Sequence, residues 1–547
     1  MGVKYFFKWF KESFPKTISK YDKKRFTKTP KLLMLDLNSL IHNACQKVYQ
    51  YGAFESKVLL RKSPNIASNE ERDQRVFETI LESISALVLM VDPQEIVICI
   101  DGVAPIPKQI QQRQRRFLTT KTDGGFDSNC ISPGTDFLYK CGIYLKSHLE
   151  KKLATEWLNV TTIYFMDSLV PGEGEHKLFD YLRMHNQTIE EQKFTVFIVG
   201  NDADLIMVAL LVSAIFLQRP IYILREDTVT RKTYLTIDIN QFKQSLTSFA
   251  QMKPKYKTDN FARIACDFII LCFLVGNDFL PPIPLFNIYD GGLDLMMKHY
   301  FASELYLTTQ KTPPPGLRAA PEGCDNEFVI NFENIRGFFK HILTISHQSV
   351  QHYRTRNFGY PNTLLDVTLK KEPILTDVIT HYLRAYSLQH NITKELTHSY
   401  LLTIDWIFNY YLYGGSTIDW NHYYPSQFAP TVLDLQAHLN SFTPFKSVVK
   451  GKVTDPFFQL LCILPPHSAH LLPPPLNEVL LRDLKAFHPS EIEIDYDGKL
   501  NSWEGIPILP PLNHEYIYKV YKDNLEMCSA LDLVRNKASN QVKMSVV

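Results

Sequence analysis

Seven acidic residues of this chain fall where a single site could gather them. Asp36 ends the apolar run LLMLDL, Asp101 directly follows EIVICI, and Glu173 and Glu175 stand in PGEGEH, a short loop beyond TIYFM. Asp202 and Asp204 stand in GNDAD after FTVFIV, and Asp278, in GND, follows the apolar helix-like run Phe268–Val275. One acid at a strand end is ordinarily a helix cap or a turn former. Acids delivered from four strand ends repel one another unless cations neutralise them. Hard divalent ions, magnesium or manganese, prefer such oxygen ligands. Two of them ~3.5–4 Å apart can activate water and stabilise the leaving oxygen in phosphodiester cleavage. Asp36, Asp101, Glu173, Glu175, Asp202 and Asp204, with Asp278 able to complete the set, could therefore form such a metal site.

A basic segment follows the second acid closely. Pro107–Phe117 reads PKQIQQRQRRF, and Pro107 suits a helix N-terminus. On a helix, Lys108, Gln112, Arg115 and Arg116 fall at i, i+4, i+7 and i+8 and share a face, whereas Arg113 points elsewhere. Such a stripe can grip phosphate, with arginine offering forked bonds to its oxygens. Taken alone it would be a solvated helix face; beside an acidic crevice it fits a substrate carrying several phosphates. His42, six residues after Asp36, could stack on a base, and His176, next to Glu175, could support the acidic loop. Among the clustered aromatics Trp406–Tyr424, most of which read as core, Trp420 between Asp419 and Asn421 is the tryptophan expected to be exposed to a base.

Five short apolar segments must carry these residues: Leu32–Leu37, Glu95–Ile100, Thr162–Met166, Phe194–Val199 and Ile221–Leu224. They are rich in β-branched and aromatic residues, as strands covered on both faces should be, and amphipathic stretches separate them. The pattern predicts an α/β fold with a mostly parallel central sheet flanked by helices, whose strand C-termini line one crevice. Ser56–Asp73 and Thr312–Asn326 read as loops. The second marks the boundary between a nuclease core at 1–305, a linker at 306–330 and a helix-rich, aromatic-rich second region at 331–547 that would wall the site.

Bulk composition adds constraints. A net charge of +2 over 547 residues gives no global attraction to nucleic acid, so binding must be local. Nine scattered cysteines, with no C-x-x-C pair, suggest neither a disulfide framework nor a zinc site and fit a reducing, cytoplasmic setting. The longest apolar run, Leu205–Leu217, is short of the ~20 residues of a membrane span. Gly2 is followed by Phe6 where a myristoylation signal has Ser or Thr.

These segments, in order, resemble the Xrn family of 5′→3′ exoribonucleases. The likeness is carried by MGVKYFFKWF at the start, DLNSLIHN (Asp36–Asn43), DGVAPIPKQIQQRQRRF (Asp101–Phe117), ISPGTDF (Ile131–Phe137), VPGEGEHK (Val170–Lys177), GNDADLIM (Gly200–Met207) and LCFLVGNDFLPP (Leu271–Pro282). It continues through DWIFNYYLYGG, YYPSQFAP, FFQLLCILPPHSAHLLP and HPSEIEIDYDGK, to about residue 510. The resemblance implies a PIN/flap-nuclease-like core that removes nucleoside 5′-monophosphates from single-stranded RNA bearing a 5′-monophosphate, with two Mg²⁺ or Mn²⁺ ions on the seven acids. It also implies a 5′-phosphate pocket at Lys108, Gln112, Arg115 and Arg116, and a first base stacked between His42 and Trp420. A role in decay of decapped mRNA alongside the decapping machinery, as a cytoplasmic monomer off the membrane, belongs to the same expectation. The chain departs from the family at Ile106-Pro107, where a basic residue and Ala are usual, and at Asn201, where Leu is usual; neither change removes a ligand. Long C-terminal docking domains and a zinc knuckle are not expected. Two rivals carry discriminating marks: a flap-type DNA nuclease would need a basic hairpin after the last acid, where only Asp290-Gly291-Gly292 stands, and an inactive RNA-binding scaffold would be expected to lack an acid.

Overall fold

The computed structural model describes every residue except 1, 28, 53–67, 120–125, 228–232, 252–260, 304, 312–326, 357–358, 372–374, 444–450 and 546–547. At its centre lies a sheet of eight strands, β1 (Ile18–Lys20), β2 (Lys31–Asp36), β3 (Glu95–Cys99), β4 (Thr162–Met166), β5 (Thr195–Val199), β6 (Ile221–Glu226), β7 (Tyr234–Asp238) and, from the far end of the chain, β12 (Val542–Ser545). Their order is β1-β7-β6-β5-β2-β3-β4-β12. The middle five, β6-β5-β2-β3-β4, are mutually parallel and are the five strands the apolar segments predict. The edges are antiparallel additions: β7 on β6, β1 on β7, and β12 on β4 with Val542 opposite Phe165.

The apolar character of the middle strands follows from their position. Leu32 and Met34 of β2, Val97 of β3 and Ile198 of β5 pack into one cluster, while Leu33, Leu35, Ile96, Ile98 and Phe197 pack into another on the opposite face. Alternate residues thus enter different layers, and both must be hydrophobic. One layer contains the helix Asp204–Ile215, which is buried nearly all round, and the helix Phe261–Leu274. The other contains the helices Asn69–Val91 and Asp136–Thr155. No helix among the described residues is long and apolar enough to cross a membrane.

The expected loop Ser56–Asp73 needs correction at its end. Residues 53–67 lie outside the described residues, but Asn69–Asp73 is already helical. Ser68 accepts from the Glu71 amide and the Glu71 carboxylate accepts from the Ser68 amide, so the polar run is a capping box, worth about 1 kcal/mol to the helix. The stretch 312–326 is likewise not described, yet its flanks β8 (Thr308–Lys311) and β9 (Glu327–Ile330) pair as an antiparallel hairpin.

Beyond β9 the chain is chiefly helical, with long helices at Phe332–Thr355, Leu375–Gln389 and Lys394–Tyr413 and a second small hairpin of β10 (Glu493–Asp495) and β11 (Ile506–Ile508). A third hydrophobic cluster joins Ile106 to Phe457–Leu464 and to Ile517 and Tyr521, so this region packs directly onto the N-terminus of the basic helix Ile106–Leu118. The eight cysteines among the described residues are free and buried.

Candidate active site

The C-terminal ends of the parallel strands deliver the acids as expected. Asp36 is the last residue of β2 and Asp101 lies just past β3. Asn38 ties them together: its amide donates to Asp36 Oδ1 at 3.2 Å, and its side-chain oxygen accepts from the Asp101 amide at 3.1 Å. Glu173 caps the helix Gly174–Met184 and Glu175 stands in its first turn, where the positive end of the helix dipole favours carboxylates. Between them Gly174 donates its amide to Asp101 Oδ1 at 2.6 Å. A Cβ at residue 174 would lie 2.8 Å from Asp36 Oδ1 and 3.3 Å from Asp101 Oδ1, so only glycine lets this helix start so close to the acids.

The acids converge. One oxygen each from Asp36, Glu175 and Asp202 lies within 4.8 Å of the others. Lys108 bridges Glu173 at 2.6 Å and Asp278 at 2.8 Å, bringing those carboxylates to the same place. Asp204 is buried, and its Oδ1 has no hydrogen-bond partner among the described residues. Burial together with neighbouring Asp101 and Asp202 pushes the Asp36 carboxyl well above the ordinary range, and burial with Asp204 and Asp202 does the same to Glu175. Burial lifts Glu173 to about 7, although Lys108 opposes the shift. Lys108 itself is buried, which disfavours its charge, but Asp278 and Glu173 hold it protonated well above the usual lysine range. Crowded carboxylates with one bare buried oxygen are the donor set that fits hard divalent cations, and the Lys108 ammonium supplies part of the positive charge they call for.

That fit has a pH consequence. A cation must displace protons from these carboxylates. With Glu173 raised to about 7, its protonated form competes below that pH and vanishes above it. Mn²⁺ affinity measured by calorimetry on RNA-free protein is expected to fall at least about tenfold between pH 8 and pH 6, the Glu173 proton alone accounting for that much and the raised Asp36 and Glu175 carboxyls adding to it. A flat affinity over this interval would remove Glu173 from the ligand set.

The basic helix runs Ile106–Leu118, with Pro107 in its first turn. Its stripe divides. Lys108 turns to the acids, Gln112 and Arg116 are buried, and Arg115 alone of the four is exposed. Gln112 is buried and accepts from Gln459 Nε2 at 3.4 Å. Arg116 is buried and donates through Nη2 to Ser132 at 2.7 Å, but its Nε and Nη1 have no partner among the described residues. Desolvation, helped by Arg115 and opposed by Asp101 and Asp127, lowers its pKa to about 9, so it stays charged at neutral pH. Arg115 is exposed at the mouth. Arg113 points away, as the periodicity predicts, and donates to the carbonyls of Pro510 and Phe487.

His42 lies between the arginines and the acids, since Arg115, Arg116 and Asp202 all act on its ring; burial first and those arginines next lower its pKa to about 4. It is therefore a neutral ring at physiological pH, partly exposed and suited to stacking. Trp420 departs from expectation. It is 9% exposed, belongs to the core, and donates Nε1 to the Gly415 carbonyl at 2.9 Å. Its own carbonyl accepts from the Ile106 amide, so what it demonstrably does is seat the start of the basic helix. Flanking polar residues suggested exposure, but Asp419 and Asn421 turn outward while the indole turns in. His176 does support the loop: burial holds it neutral, and its ring stacks on Tyr410 at 3.7 Å.

Residues with no signal in the sequence complete the site. Tyr410 donates to Glu173 Oε1 at 2.9 Å and Tyr411 to Asp204 Oδ2 at 3.4 Å. Asn38, two residues after Asp36, could have been found by its proximity; the tyrosines sit in a helix buried on every side, where periodicity marks nothing. A cavity of about 580 Å³ runs from Gln111, Arg115 and Asp202 past Asp278 to Tyr5, Lys499 and the 60% exposed Trp503.

Comparison with known proteins places the chain. The family model described as the XRN 5′-3′ exonuclease N-terminus matches residues 1–227, and that of the Xrn1 helical domain matches 258–356 and 381–544. The chain is 26% identical over 613 residues to 5′-3′ exoribonuclease 1 of Homo sapiens, covering 97% of this chain and 34% of that protein. It is 25% identical over 613 residues to 5′-3′ exoribonuclease 2 of Arabidopsis thaliana (80% and 58%) and 23% identical over 658 residues to 5′-3′ exoribonuclease 1 of Schizosaccharomyces pombe (93% and 47%). It thus spans between about a third and three-fifths of the length of these relatives. A solved structure, the catalytic core of Rad2 in complex with DNA substrate, is similar at a TM-score of 0.27 and 14% identity over 60% of this chain and 92% of that chain, too distant to bear on the reading. Two domain models of one family, matched in order along nearly the whole chain, carry the conclusion: this protein belongs to the Xrn family of 5′-3′ exonucleases.

Proposed function

We propose that the protein is a metal-dependent 5′→3′ exoribonuclease that takes single-stranded RNA with a 5′-monophosphate and releases nucleoside 5′-monophosphates. The observation that carries the 5′ end-specificity is Arg116: a buried, charged guanidinium with two unpartnered nitrogens, within electrostatic reach of the acid cluster. Such a group wants an anion, and a terminal phosphate offers the forked geometry. The names of the relatives support the reaction class.

In this reading the strand enters the cavity 5′ end first. Gln112, Arg115 and Arg116 bind the terminal phosphate, and neutral His42 stacks on the first base. That places the next phosphodiester over Asp36, Asp101, Glu173, Glu175, Asp202, Asp204 and Asp278. Two divalent cations held by those acids, Mg²⁺ or Mn²⁺, would supply an activated water and charge stabilisation for the leaving oxygen. Lys108 neutralises Glu173 and Asp278 and keeps the cluster compact. A triphosphate or cap brings more bulk and charge than one buried arginine can match, and should be rejected. Trp503 and Lys499, at the outer end of the cavity, give the continuing strand a stacking surface and a cation. In this reading the protein acts as a monomer in cytoplasmic RNA decay, on RNA from which the cap has been removed.

The test is digestion of a 3′-labelled RNA carrying a 5′-monophosphate or a 5′-triphosphate, with Mg²⁺ or EDTA, beside DNA of the same sequence. Loss of only the monophosphorylated RNA, to mononucleotides and only with metal, is expected. Equal loss of DNA would instead indicate a flap-type nuclease, and binding without cleavage a scaffold.

A further inference from the structure

The helix Lys394–Tyr413 has tyrosines at 400, 410, 411 and 413 that are almost wholly buried. A buried hydroxyl needs a partner. Tyr400 donates to the Pro281 carbonyl and Tyr413 to that of Phe328. Tyr410 and Tyr411 instead reach across to the acid cluster and donate to Glu173 and Asp204. Both are held with little freedom. The Tyr410 ring stacks on His176 with an interplanar angle of 11°, and the Tyr411 ring meets Phe273 edge-on at 5.2 Å.

The end of this helix is fastened to the helix that bears Glu173 and Glu175. Arg183 donates Nε to the Leu412 carbonyl at 2.9 Å and Nη2 to that of Tyr411 at 2.7 Å, while Nη1 pairs with Asp180 at 2.7 Å. Gly414, at φ +90°, comes so near that a Cβ there would stand 1.9 Å from Asp180 Oδ1. The two helices therefore cannot slide past one another without breaking buried bonds to a charged group.

We propose that Tyr410 and Tyr411 are positioning residues of the nuclease site, fixing which carboxylate oxygens of Glu173 and Asp204 face the metal. This rests on the reading that the acids hold divalent cations. The oxygens divide accordingly. Tyr411 takes Asp204 Oδ2 and leaves Oδ1 buried and unpartnered; Tyr410 takes Glu173 Oε1 and leaves Oε2 to the Lys108 ammonium. A hydroxyl on one oxygen restrains the carboxylate's rotation, so Asp204 Oδ1 is presented ready-made and Glu173 Oε2 is aimed at the Lys108 side of the cluster.

The experiment compares Tyr410→Phe and Tyr411→Phe with Tyr413→Phe and Asp36→Asn in the full chain. Phenylalanine keeps the ring and its stacking and removes only the hydroxyl. Mn²⁺ affinity, read by electron paramagnetic resonance on RNA-free protein, is expected to fall about 10–100-fold in the first two variants and to stay unchanged in Tyr413→Phe. The Mg²⁺ concentration for half-maximal cleavage should rise in parallel, with kcat recovering at high Mg²⁺ and KM for RNA within about twofold of wild type. Wild-type Mn²⁺ affinity in Tyr410→Phe and Tyr411→Phe, with binding lost in Asp36→Asn, would overturn the positioning role and leave the metal site standing. Unchanged binding in Asp36→Asn as well would overturn the metal reading and this proposal with it.

Discussion

Asp204→Ala is expected to reduce RNA cleavage by roughly 10³-fold or more, because losing one of the few charged ligands of a catalytic cation removes several kcal/mol of transition-state stabilisation. The residue is well placed for so large an effect. It opens the helix Asp204–Ile215, is 3% exposed, and has one carboxylate oxygen with no hydrogen-bond partner among the described residues. The same variant should bind RNA about as well as wild type, since Arg115, Arg116 and His42 are untouched and a repelling negative charge has gone. Single-turnover digestion of end-labelled RNA and filter binding in EDTA separate the two effects. Cleavage within tenfold of wild type would rule Asp204 out as a metal ligand.

Arg116→Ala should collapse the preference for a 5′-phosphate. Charge-assisted hydrogen bonds contribute about 1.5–3 kcal/mol each, so kcat/KM on 5′-phosphorylated RNA should drop by roughly 10–100-fold while 5′-hydroxyl RNA is barely affected. Arg115→Ala should weaken the same preference less, because Arg115 is exposed and solvent screens its charge. Arg113→Ala is the contrast. Its guanidinium binds the carbonyls of Pro510 and Phe487, so its loss should lower the melting temperature and leave 5′-end selectivity intact. Unaltered discrimination in Arg116→Ala would dismiss the pocket.

How far these features could be read in advance depended on what each residue must satisfy. The middle strands were legible because both faces of β2, β3 and β5 are buried, which forces unbroken apolar runs. The edges β1, ISK, and β12, VKMS, were not, because one side of each is exposed and nothing in so short a polar sequence demands a sheet. The acids were legible from their place after strands, and Arg116 from helical spacing. Lys108 shares that spacing, yet its ammonium follows the stronger field and turns to Glu173 and Asp278. Trp420 was misjudged by its polar neighbours, since alternation along an irregular loop sets no direction. Tyr410 and Tyr411 gave no sign at all, because in a helix buried on all sides a tyrosine that packs and a tyrosine that reaches a carboxylate look alike.

The pairing of β12 with β4 has a bearing on how the molecule comes into being. A chain is made from its N-terminus, and its early parts fold as they emerge. All seven acids precede residue 279, whereas the helix whose tyrosines reach them ends at Tyr413 and the strand that covers β4 begins at Val542. Until those segments have been made, then, the growing chain carries its acids beneath an unfinished wall and a bare sheet edge, while still tethered to the messenger RNA being read.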